Sequence, residues 1–121
     1  MDKILIWHNP RCRTSRAGLI YLKEKGIEPE IFLYLKEGFS PETLAALIRK
    51  SGLDVDAFIR KQEKIYKELG LKGKQLTAEE FAELAAEHPK LLQRPIVICG
   101  ERVVLAQPPE AIDPLLEACD D

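Results

Sequence analysis

The chain has 121 residues, 45% of them hydrophobic and 31% charged, the profile of a soluble globular domain built on one core. Eighteen Lys and Arg stand against 20 Asp and Glu, a formal net charge of −2, which gives no general reason to bind nucleic acid or an anionic membrane. No stretch approaches the roughly 20 apolar residues of a membrane helix. The run Ile4 to Trp7 is too short for a signal-peptide core, so the expected location is the cytoplasm.

Lys3 to Trp7 reads as a short buried strand stopped by Asn9-Pro10. Thr14 or Ser15 is the expected cap of a helix running to about Lys25, where Gly26 ends it. Glu30 to Leu35 reads as a second strand. Ser40 as cap and Pro41 at the first helical position open a helix carrying Leu44, Leu47 and Ile48 on one face, up to Gly52. Asp54 starts a further helical stretch, and Glu63 to Leu69 another. Thr77 and Glu80 form a capping box for a helix that stops near His88-Pro89.

Pro95 to Cys99 and Arg102 to Ala106 flank Gly100-Glu101, a hairpin signal. Pro108-Pro109 opens a last helix, in which Pro114 requires a kink or a restart capped by Asp113. The order is β-α-β, then helices alone, then β-β-α. The first unit wants parallel strands and the last an antiparallel pair. The expectation is an α/β, thioredoxin-like fold with a mixed four-stranded sheet. It forms a single domain over residues 1–121, with a helical insert at about 40–90.

The three cysteines, Cys12, Cys99 and Cys119, fit neither a disulfide framework nor a zinc site by number or spacing. In a reducing compartment all three are expected as free thiols. Cys99 reads as strand packing and Cys119 as incidental. Nothing in the sequence signals a metal or a tightly bound cofactor.

Cys12 differs because it sits between a strand and a helix. Helix-start amides and the helix dipole stabilise an anion there, Arg11 and Arg13 flank it, His8 precedes it on the same loop, and Ser15 follows. Such surroundings lower a thiol pKa, and the same amides suit an oxyanion. Cys12-Arg13-Thr14-Ser15 has redox C-x-x-C spacing with Ser as the second member. The site therefore cannot close its own disulfide and needs an outside thiol to resolve it. Taken singly, Arg60 and Arg94 read as solvated arginines, and His8 as a satisfied loop histidine.

His8-Asn9-Pro10-Arg11-Cys12-Arg13-Thr14-Ser15-Arg16 closely resembles the active-site loop of the glutaredoxin-coupled arsenate reductases. The resemblance continues at Leu33-Tyr34-Leu35, Ile59-Arg60-Lys61, Tyr66 to Leu71, His88-Pro89, Leu92 to Val97 and Pro108-Pro109-Glu110, nearly the whole chain. It implies that Cys12 thiolate attacks arsenate and that glutathione, as co-substrate, and glutaredoxin, as partner, complete reduction to arsenite. It implies that Arg60 and Arg94 hold the oxyanion and stabilise the thiolate, that His8 tunes the thiolate beside the hydroxyl and amide that Ser15 offers from the loop, and that Pro95 is cis and faces Cys12. One position departs from the pattern: Gln107 stands where the best-studied members carry a third arginine, so oxyanion capture is expected to be weaker. Spx-type regulators that bind RNA polymerase share the resemblance, but many of them carry a C-x-x-C switch. A relative with another thiol substrate and an idle binding domain complete the alternatives.

Overall fold

The computed structural model describes residues 3–119. The chain divides into two compact units, one made of the chain up to Glu37 and from Arg94 onward, the other of Gly38–Gln93.

The first unit is built on four strands, β1 (Ile4–Trp7), β2 (Glu30–Phe32), β3 (Ile96–Cys99) and β4 (Arg102–Leu105), in spatial order β2-β1-β3-β4. β1 pairs parallel with β2 and antiparallel with β3, and β3 pairs antiparallel with β4 across Gly100-Glu101. This is the expected mixed sheet in thioredoxin-like order. Being central, β1 is buried on both sides, which is why it reads as a continuous apolar run. Helix α1 (Arg13–Glu24) returns from β1 toward β2, and Leu22 packs with Ile4, Ile6, Val97, Ala106, Ile112 and Leu115 in one apolar cluster. Trp7 contacts Phe32 edge-on and stacks on Tyr34.

Gly18 of α1 lies against Pro95: a β-carbon there would sit 2.7 Å from Pro95 Cγ. No other residue lets the helix come so near. The Arg94–Pro95 peptide is cis, as the resemblance implied, and so is Gln107–Pro108.

Three expectations are corrected. The second strand ends at Phe32, and Tyr34–Glu37 turns into a short helix, α2. The amides of Lys36 and Glu37 both close on the Leu33 carbonyl, and the Leu33 amide meets the Glu37 carboxylate, so local bonds displace the sheet ladder. The cap of α1 is Cys12, without a side-chain capping bond, because the hydroxyls of Thr14 and Ser15 are engaged elsewhere. Cys99 and Cys119 are joined as a disulfide, leaving Cys12 as the free cysteine. Cys119 ends α6 (Asp113–Cys119), which packs on β3 and so brings the two Cα atoms to 6.2 Å, inside the bridging range. The restart at Asp113 does occur, after a 3₁₀ turn over Pro109–Ile112.

The second unit is helical. Ser40 caps α3 (Pro41–Ser51) by accepting from the Thr43 amide, and Gly52 closes it at φ 72°, a left-handed cap that suits glycine. Thr77 and Glu80 form the reciprocal capping box of α5 (Ala78–Glu87), which packs on α3. Between them lie a 3₁₀ turn (Val55–Phe58) and the short α4 (Lys64–Glu68). Among the described residues, no helix is long and apolar enough to cross a membrane.

Candidate active site

Cys12 occupies a turn that Asn9 organises. The Asn9 carbonyl accepts from the Cys12 amide at 3.0 Å, and its side-chain oxygen accepts from the Arg11 amide at 3.0 Å. The Asn9 amide donates to Ser15 Oγ at 2.9 Å. Asn9 is buried, so its bonds fix the loop rather than solvate it. Sequence reasoning passed over it as a strand stop, although Asn followed by Pro is a turn signal in its own right.

Ser15 is fully buried, and its hydroxyl also meets His8 Nδ1 at 2.7 Å. Burial, then the charges of Arg16 and Lys23, hold the His8 imidazole below its usual pKa, so it is neutral at pH 7. We therefore assign the Ser15 proton to His8 Nδ1 while Ser15 Oγ accepts from Asn9. His8 reaches Cys12 through Ser15, as a scaffold.

Burial by itself pushes the Cys12 thiol up. A hydrogen bond from the Thr14 hydroxyl, one from the Ser15 amide, and the hydrogen bond and charge of the Arg94 guanidinium outweigh it and bring the thiol down to about 6. Thr14 Oγ1 lies 3.1 Å from the sulfur. The helix-start amide acts on the sulfur together with the buried Arg94, one of the two arginines that the resemblance names, whereas the adjacent Arg11 and Arg13 are exposed. Thr14 was absent from the expected site because its hydroxyl could as well have capped the helix.

Arg94 enters just before β3, and the Ala106 amide bonds the Pro95 carbonyl at 3.0 Å. This ties the backbone before Gln107 to the Arg94-Pro95 segment. Gln107 is exposed. The first unit thus brings together Cys12, His8, Ser15 and Arg94, with Gln107 following Ala106, whose amide is bonded to the same segment.

Arg60 belongs to the second unit. Its amide donates to Leu91 O at 2.7 Å, and an isolated bridge pairs Ile59 with Leu92. Its guanidinium is held by Glu63 at 2.8 Å through Nε and approaches Gln93 Oε1 at 3.5 Å through Nη1. Nε is thereby committed, and the fork of terminal nitrogens remains the part suited to a carboxylate or oxyanion. Among the described residues, no group of three or more His, Cys, Asp or Glu could hold a metal ion.

A thiolate held by a helix start and an arginine can attack an electrophilic centre that carries anionic oxygens. The ArsC family model matches residues 7–115. The chain belongs to the ArsC family. An arsenate reductase of Haemophilus influenzae is 38% identical over 110 residues, covering 90% of this chain and 95% of that protein. One of Escherichia coli is 38% identical over 112 residues, covering 93% and 79%. The solved structure of an arsenate reductase from Vibrio cholerae superposes with a TM-score of 0.85 at 39% identity, covering 93% of this chain and 97% of that one. ArsC membership agrees with the thioredoxin-like fold and spans both units, so Arg60 and Cys12 lie within one family match.

Proposed function

We propose that the protein is a cytoplasmic arsenate reductase working through Cys12 with glutathione and glutaredoxin. The observation that carries this reading is the free, buried Cys12 at the start of α1, its thiol brought down to about 6 beside Arg94. At pH 7 such a group is mostly thiolate, the nucleophilic form.

In this reading Cys12 thiolate attacks arsenic and an arsenate oxygen leaves as water. Glutathione displaces a second oxygen, again as water, so that arsenic carries both sulfurs. The glutaredoxin thiolate then attacks the glutathione sulfur. The arsenic–glutathione bond breaks, its electron pair stays on arsenic, and a glutaredoxin–glutathione disulfide forms. The two thiols supply the two electrons that take arsenic from the pentavalent to the trivalent state. Water then releases arsenite and returns Cys12 to thiolate. Arg60, Arg94 and Gln107 hold the oxyanion, two with charged forks and one with a neutral amide. Ser15 presents its amide to the sulfur, and His8 holds Ser15.

Residue 15 also bears on the regulator alternative. A C-x-x-C switch would need a cysteine there, and this chain has a buried serine locked between Asn9 and His8. That favours an enzyme resolved by outside thiols.

The test is arsenate-dependent NADPH oxidation in the presence of glutathione, glutaredoxin and glutathione reductase. Turnover is expected with wild type and is lost in Cys12→Ser. No turnover with wild type, or full turnover with Cys12→Ser, would overturn the proposal. Omitting glutaredoxin tests the partner separately.

A further inference from the structure

Two hydroxyls stand within three residues of Cys12, and they have different work. The Ser15 hydroxyl is taken by the Asn9 amide and by His8. The Thr14 hydroxyl lies 3.1 Å from Cys12 Sγ and 3.3 Å from the Arg94 carbonyl. It has one proton and two acceptors. When the sulfur carries a proton, S–H can donate to Thr14 Oγ1 while Thr14 donates to the Arg94 carbonyl. When the sulfur is a thiolate, it can only accept, and the stronger, charge-assisted bond is the one to sulfur.

We propose that Thr14 is a positioning residue that follows the charge of Cys12, turning its hydroxyl proton to the sulfur when Cys12 is a thiolate and to the Arg94 carbonyl when the sulfur is protonated or covalently occupied. This rests on Cys12 being the reacting group and deepens that assignment. The exchange moves one hydroxyl proton through rotation about the C–O bond, with no net proton transfer and no oxidant or reductant. The Arg94 main chain accepts from Thr14, and its guanidinium contacts the sulfur. Thr14 therefore connects the charge on Cys12 to the segment that presents the principal cation. It acts twice in a cycle: it favours thiolate in the free protein and stabilises thiolate again as Cys12 leaves arsenic.

The other charged and titratable groups near the sulfur do not provide this exchange. Arg94 bears a permanent charge, and His8 is one bond further out behind Ser15. Arg16 reaches back to the Pro10 carbonyl at 2.9 Å, and Arg11 and Arg13 are exposed.

The experiment uses the full chain without arsenate. The ultraviolet absorbance of the Cys12 thiolate and the rate of iodoacetamide labelling are followed against pH in wild type, Thr14→Val, Thr14→Ala and Thr14→Ser. Both variants lacking the hydroxyl should titrate about one unit higher, a tenfold change in the ionisation constant, and Thr14→Ser should return to the wild-type midpoint. Should Thr14→Val fold poorly, the Ala and Ser pair still decides. Wild-type titration in the hydroxyl-free variants, or a Ser variant displaced as far as Ala, would overturn the proposal. Because no substrate enters the measurement, a shifted midpoint in a protein that does not reduce arsenate would uphold Thr14's role while refuting the proposed substrate.

Discussion

Replacing Arg94 with Met tests the electrostatics of the site most directly. Arg94 is 6% exposed, and Met fills a similar unbranched volume without donors or charge. The guanidinium stabilises the Cys12 thiolate by a hydrogen bond and by its charge. A hydrogen bond to an ionised partner contributes about 1.5–3 kcal/mol. At ~1.36 kcal/mol per pKa unit, its loss should raise the thiol by roughly 1–2 units from its native value of about 6. The thiolate fraction at pH 7 should then fall from about nine-tenths to somewhere between roughly a half and a tenth. The assay is iodoacetamide labelling across pH. With Cys99 and Cys119 bonded to each other, the label reports Cys12. The midpoint is the quantity to compare, since a more basic thiolate is also intrinsically more nucleophilic. Arg94→Lys, which keeps the charge and loses the fork, should fall between the two. A midpoint in Arg94→Met that stays near 6 would refute the assignment of Arg94 as the acting cation.

Linkage gives a second consequence. The folded Cys12 value of about 6 lies below the unfolded thiol's ~8.5, so between these values the unfolded chain binds the extra proton and stability rises with pH. Urea unfolding should show wild type gaining at least about 2 kcal/mol relative to Cys12→Ser from pH 6 to pH 9, all of it lost again as pH falls to 6; parallel profiles would contradict the thiolate. Gly18→Ala places a β-carbon 2.7 Å from Pro95 Cγ. Overpacking of ~1–3 kcal/mol should outweigh the ~1 kcal/mol helix-propensity gain, giving a net loss in denaturant unfolding. Glu63→Gln keeps an acceptor for Arg60 Nε and removes the negative charge beside it, so KM for arsenate should fall several-fold in the coupled assay. Gln107→Arg adds a charged fork worth about 1.5–3 kcal/mol when well placed and should lower KM for arsenate several-fold or more; unchanged kinetics would mean that this side chain does not face the anion.

Much of the fold is legible because its elements announce their own ends. Ser40-Pro41 and Thr77-Glu80 are caps whose mechanism is local, so the sequence needs no tertiary information to place α3 and α5. The β3–β4 hairpin follows in the same way from Gly100-Glu101 between two apolar runs. The run Ile31 to Leu35 misleads because apolarity alone does not separate a strand from a buried helical turn; the contact of Tyr34 with Trp7 and the bonds closing on the Leu33 carbonyl decide it. The Cys99–Cys119 bond is hidden for a different reason. It depends on α6 folding back over β3, and a separation of 20 residues carries no trace of that contact.

The site divides along the same line between local and distant. Part of what lowers the Cys12 thiol follows from its place between a strand and a helix, where the Ser15 amide donates to the sulfur; the Thr14 hydroxyl and the Arg94 guanidinium supply the rest. Which cation acts on it does not follow from chain position, and only the resemblance names Arg94, because chain neighbours are not spatial neighbours at a helix start: successive side chains fan out around the axis, leaving Arg11 and Arg13 in solvent while Arg94 arrives from just before β3, beyond the insert. The hydroxyls show the limit most sharply. Thr14 and Ser15 are adjacent and chemically alike, and either suits a cap, a thiolate or a histidine. Their roles separate only because Asn9 and His8 claim one of them, which leaves the other between the sulfur and the Arg94 carbonyl.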